Sequence, residues 1–97
     1  METNELNELR GHIDEIDSQI IMLLSERFKS TEKVGIFKAK NKLSAKDSMR
    51  EMEQFNKIKD LSQKYGLNPD YAIKIYECII DIVISRHQEL KNNFIDK

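Results

Sequence analysis

Two cations stand where a helix should be apolar. In LLSERFKSTEKVGIFKAK, residues 23–40, Arg27 and Lys38 project from the centre of a stripe built by Leu9, Ile13, Ile16, Ile20 and Val34 at about 100° per residue. Arg10 lies at the edge of the same face, whereas Lys29, Lys33 and Lys40 project to the opposite side as solvated charge. A lone inward cation is accounted for by its aliphatic stem lying along apolar surface, or by pairing with a buried acid. Two on one stripe, with a third at its edge, point to a buried anion-binding pocket, because unpaired buried charge is expensive.

The segment KDSMRE adds Asp47, Arg50 and Glu51. Glu51 continues the line of Phe55, Ile58, Ser62 and Tyr65, so it faces inward where a second helix begins. Two readings stay open for it: a polar group of the pocket, or a capping box with Ser48 in which the carboxylate reaches back to a backbone N–H. Asp47 is likewise an N-cap or a partner for Arg50 three residues on. His87 shares an apolar face with Ile80, Val83, Ile84 and Leu90, while Gln88 points to the side of Glu77 and Asp81. A histidine on such a face is also a common core residue; His12, on the outer face of the first helix, has no comparable claim.

These groups must be positioned by helices. Only three Gly and one Pro occur and strand-like alternation is absent, so the expected class is all-α. Leu6, Leu9, Ile13, Ile16, Ile20, Leu23, Leu24, Phe28, Val34 and Phe37 predict a first helix over about residues 5–41. A second runs over about 48–65 and stops at Gly66; a third opens at Asn68-Pro69 and runs over about 69–92, with the tail NNFIDK expected to fray. Residues 1–97 read as a single domain, with no repeat or linker.

A first helix of about 36 residues is on the order of 54 Å long, against a radius of gyration of about 13 Å for a compact chain of this size. Such a helix cannot be covered by its own chain, and a homodimer pairing two long first helices is the economical solution. The coiled-coil-like spacing of Leu6 through Leu23 points the same way.

Composition excludes several classes. Lys and Arg total 16 against 17 Asp and Glu, so the basic excess of a nucleic-acid binder is missing. The single cysteine, Cys78, gives neither a disulfide framework nor metal-ligand spacing and reads as a buried thiol in a reducing compartment. METNELNELRGHIDE lacks the apolar core of a signal peptide, and no run approaches the roughly 20 apolar residues of a membrane span, so a soluble cytoplasmic protein is expected.

The joint spacing of LR at 9–10, ER at 26–27, VGIFK at 34–38 and DSMRE at 47–51 resembles the all-helical chorismate mutase family, ungapped from about residue 9 to residue 87. The resemblance implies an intertwined homodimer of three-helix chains whose two sites each draw on both subunits. It implies conversion of chorismate to prephenate, on the route to phenylalanine and tyrosine, without cofactor or metal. By position, Arg27 would hold one substrate carboxylate and Arg10, reaching in from the partner chain, the other. Lys38 would contact a carboxylate and the ether oxygen, Glu51 and the backbone around Asp47 would bind the ring hydroxyl, and Arg50 would orient the acidic groups.

The reaction explains these residue types. An intramolecular [3,3] rearrangement needs no nucleophile and no proton transfer, so a missing triad or metal cluster is not evidence against an enzyme. The protein must fold a flexible dianion into a chair, which Arg clamps achieve by fixing both carboxylates. As the C–O bond breaks, charge grows on the ether oxygen, where preorganised donors act.

Two positions depart from the family pattern. The usual second donor to the ether oxygen is Gln, sometimes Glu, and here the position is His87; a slip to Gln88 is opposed by helical phase. Val83 stands where bacterial relatives often carry Ser. Isochorismate pyruvate-lyases and aminodeoxychorismate mutases share the scaffold and are the alternative activities, and a non-catalytic helical dimerisation module is the alternative of another class.

Overall fold

A computed structural model describes residues 2–95 of the chain, and the side chains of residues 3–94. The described residues form three helices and no strand: α1 over Glu2–Lys40, α2 over Ser48–Tyr65 and α3 over Pro69–Ile95. The class is all-α. The first helix begins three residues earlier than its apolar pattern predicts, because the polar residues before Leu6 carry no helix-breaking signal. The third helix continues through Asn92, Asn93 and Phe94 to Ile95, where fraying was expected. Asp96 and Lys97, the rest of that tail, lie outside the described residues.

The chain divides into two compact units, Met1–Thr31 and Glu32–Lys97. The first unit consists of α1 residues only. Every residue from 3 to 23 is exposed, and Leu6, Leu9, Ile13, Ile16, Ile20 and Leu23 of the apolar stripe are each between 40% and 57% exposed. Full burial of such a side chain is worth about 1.5–3 kcal/mol, and roughly half of that remains to be gained at each of these half-covered positions.

The second unit holds the last turns of α1 together with α2 and α3. Its core is Gly35, Ala39, Ala45, Ser62, Ala72, Ile79, Ile80, His87 and Leu90. Ser62 is buried on α2 at no polar cost because its hydroxyl donates to the Ile58 carbonyl at 2.7 Å. Cys78 is exposed rather than buried. On α3 it lies off the line of Ala72, Ile79, Ile80 and His87, so the helix turns it outward.

Local chemistry sets where the helices stop. α2 ends at Gly66, φ 71°, with the Leu67 N–H returning to the Ser62 carbonyl at 2.9 Å and the Gly66 N–H to Gln63 at 3.4 Å. α1 ends in the same pattern, Leu43 to Lys38 at 2.8 Å and Lys42 to Ala39 at 3.4 Å, with Lys42 in the left-handed position at φ 56°. The Asn68 side chain accepts from the Asp70 N–H at 2.9 Å and Pro69 follows as the first residue of α3, as its sequence signal predicts. No helix of the described residues is long and apolar enough to cross a membrane.

Candidate functional site

Lys38, one of the inward cations, is anchored through both its backbone and its side chain. Its backbone carbonyl receives the Leu43 N–H, and its Nζ reaches the loop after α1 to donate to the Ala45 carbonyl at 3.3 Å. Ala45 is buried, so the ammonium is drawn into the second unit instead of extending into solvent. Sequence reading placed Lys38 inward but gave no sign that the loop carbonyl would be its partner.

Two residues beyond Ala45, Asp47 opens α2. Its side chain accepts from the Arg50 backbone N–H at 3.1 Å, which makes it the N-cap. The Arg50 guanidinium points elsewhere, with Nη1 3.7 Å from the Glu53 carboxylate on exposed surface. Asp47 therefore binds the Arg50 backbone, not its side chain. With Asp47 as cap, Ser48 is the first helical residue, which removes the capping-box reading of Glu51. Glu51 is half-buried, and its Oε2 is shielded from solvent with no hydrogen-bond partner among the described residues. A buried acceptor in that state fits a hydroxyl or other donor brought by a ligand.

His87 is buried, 4% exposed, whereas Gln88 is exposed and bonded to Asn92 at 2.9 Å. Helical phase is therefore the better guide than residue identity. Val83 is half-buried one turn earlier on α3. In the first unit, Arg10 is exposed and Arg27 is half-buried with its Nη1 shielded from solvent. Glu26, Lys29 and Lys33 are exposed, as their phase predicts.

One ion pair was not anticipated. Arg86 forks onto Glu32, Nε to Oε1 and Oε2 at 3.0 and 3.1 Å and Nη2 to Oε1 at 2.8 Å, and also reaches Glu89 at 3.0 Å. These hydrogen bonds hold the Glu32 carboxyl below its ordinary value of 4.5, with the charge on His87 acting in the same direction; Glu32 and then Glu89 hold the guanidinium further up. Gly35 is buried in α1, and an isolated glycine inside a helical pattern is itself a sequence signal of close packing.

A separate cavity of about 190 Å³ lies at the α2–α3 turn, lined by Ile58, Leu61, Tyr65, Ala72 and Tyr76 among others. None of its lining residues is cationic, so it is unsuited to an anion. Among the described residues no group of His, Cys, Asp and Glu could hold a metal ion.

Residues 9–88 match the family model of chorismate mutase type II. The chain is 39% identical over 90 residues to a bifunctional chorismate mutase/prephenate dehydratase of Aquifex aeolicus, covering 90% of this chain and 25% of the relative. A protein of the same description from Buchnera aphidicola is 31% identical over 91 residues, 94% of this chain and 24% of its own. A chorismate mutase of Methanocaldococcus jannaschii is 27% identical over 93 residues, 96% of this chain and 90% of its own. The chain thus spans about a quarter of the length of the bifunctional relatives.

Proposed function

The chain belongs to the type II chorismate mutase family, and on that premise we propose that it converts chorismate to prephenate as a cytoplasmic homodimer. The family match across residues 9–88 carries the reading, and it is supported by the burial or part-burial of Lys38, Glu51 and His87, all in the second unit. The reaction breaks the ether C–O bond and forms a C–C bond within one molecule, so atoms balance without cofactor, metal or co-reactant.

Lys38 is the principal donor to the ether oxygen. Its present partner is a neutral carbonyl at the long end of hydrogen-bond range, and an oxygen that gains negative charge is the stronger acceptor. The donor is already held in place, so little reorganisation is needed as charge develops. His87 supplies the second hydrogen bond at the position where the family usually has Gln. Glu51 offers its buried Oε2 to the ring hydroxyl, and the N-terminal backbone of α2 after Asp47 adds N–H donors. Arg27 and Arg10 of the partner subunit clamp the two carboxylates, Arg50 orients the acidic groups, and Val83 closes the wall with a methyl in place of a hydroxyl.

The exposed stripe on α1 is the dimer surface, with a second copy of the same stripe as its occupant. A self-complementary apolar face is what a two-fold interface uses, and it brings Arg10 of each chain to the site of the other.

Separate incubation of the purified protein with chorismate, isochorismate and aminodeoxychorismate, with the products identified, tests the assignment. Prephenate from chorismate is the expected result. Pyruvate from isochorismate with no prephenate from chorismate would move the protein to the lyases, and no turnover of any of the three would leave a dimerisation module.

A further inference from the structure

A glycine inside a helix costs about 1 kcal/mol relative to alanine, so one retained in mid-helix needs a structural reason. α1 contains two. At Gly11 a Cβ would meet open space, whereas at Gly35 it would stand 2.5 Å from His87 Cδ2, 2.8 Å from Leu90 Cδ1 and 3.0 Å from His87 Nε2. The volume of the missing methyl is occupied by one edge of the His87 imidazole. Gly35 and His87 are both buried, which leaves the ring few places to go.

The flank of this contact is fixed as well. Glu32, three residues before Gly35, is forked onto Arg86, the immediate neighbour of His87. Lys38 follows Gly35 by three residues, one helical turn along the same side of α1. Within the second unit, the helix that carries Lys38 therefore also carries the notch that seats the imidazole.

We infer that Gly35 is a positioning residue for the rearrangement: by having no side chain it seats the His87 imidazole against α1, one turn before Lys38, and so fixes the spacing of the two donors. The inference rests on the assignment of Lys38 and His87 as donors made above. Gly35 itself touches no reacting atom. A methyl at this position turns the ring edge that bears Nε2 away from α1, and hydrogen bonds weaken steeply once their angle falls below about 120°.

The test is a double-mutant cycle of Gly35→Ala and His87→Ala on the full chain, with kcat, KM and thermal midpoint measured for each protein. Gly35→Ala is expected to lower kcat by about 100-fold, the order that a displacement of about 1 Å costs a positioned group, with KM little changed. In the His87→Ala background the ring is gone, and the same substitution should change kcat by less than about 3-fold. A packing role alone predicts a lowered midpoint with kcat kept.

If Gly35→Ala does not fold, Gly35→Ala combined with Leu90→Ala removes the second close contact, keeps the imidazole, and carries the same comparison. A parent that makes prephenate while Gly35→Ala keeps normal kcat, or while the two losses simply multiply, overturns this inference alone. A parent that makes no prephenate overturns the functional assignment and this inference with it.

Discussion

Lys38 is tied to the loop that follows α1 at both ends, its carbonyl receiving the Leu43 N–H at 2.8 Å and its Nζ donating to the Ala45 carbonyl at 3.3 Å. A lysine has four rotatable side-chain bonds and ordinarily surrenders much entropy when it is held. Here the fold meets part of that cost in advance, which suits the donor role proposed for Lys38. The same loop leads into the Asp47 cap and places Glu51 in the first turn of α2.

Lys38→Ala should lower kcat by about 100-fold to 1000-fold, the usual effect of losing one preorganised donor. Steady-state kinetics together with circular dichroism will check it, since the helical signal should be unchanged. Near-normal turnover in a folded variant would rule out the assignment of Lys38.

His87→Gln should keep most turnover, because an amide N–H can donate the same hydrogen bond, whereas His87→Ala should lower kcat by about 100-fold or more, the order expected for losing one positioned donor. Steady-state kinetics of both variants, with circular dichroism to confirm that each is folded, will check it. Near-normal turnover of a folded His87→Ala would exclude the role of His87.

The Glu32–Arg86 pair should contribute stability at neutral pH that disappears in acid. Arg86 depresses the Glu32 carboxyl below 4.5, so the contribution is fully present above that value and is lost as pH falls through the lower folded value. Its partners are 45% and 36% exposed, which screens the pair and keeps the effect small. Urea midpoints of the parent and Glu32→Gln should differ at about pH 7 and converge towards about pH 3. A constant difference across that range would contradict the ion-pair account.

The exposed stripe of α1 should be an interface. Ile16→Arg puts a charge in its middle and should convert a dimer into a monomer, read by analytical ultracentrifugation, with loss of most mutase activity because Arg10 no longer reaches the second site. A parent that sediments as a monomer at micromolar concentration would exclude this assembly.

Much of the fold was written in periodicity and punctuation. The spacing of Ile13, Ile16 and Ile20, the Gly66 stop and the Asn68-Pro69 start are local signals, so they survive without knowledge of neighbours. Phase alone put His87 inside and Gln88 outside, against the pull of a familiar glutamine, because the 3.6-residue turn fixes side-chain direction before any contact forms. Cys78 was misplaced by its general hydrophobic habit, which is a statistical tendency, whereas its angle on α3 is geometry. Glu51 was left open because a capping box and a pocket acid share one spacing.

By itself, then, the sequence determined which residues belong to each helix and which side of it they occupy, since backbone geometry repeats at every turn. Only the tertiary structure decided that Asp47, not Ser48, caps α2, that Lys38 meets the Ala45 carbonyl, that Arg86 forks onto Glu32, and that His87 fills the space beside Gly35. Apart from the cap, each of these joins groups whose distance is set by how the chain returns on itself, and the cap is a choice between two adjacent residues that local spacing cannot make. Which side a residue faces is encoded turn by turn, but what it faces there is supplied by another part of the chain.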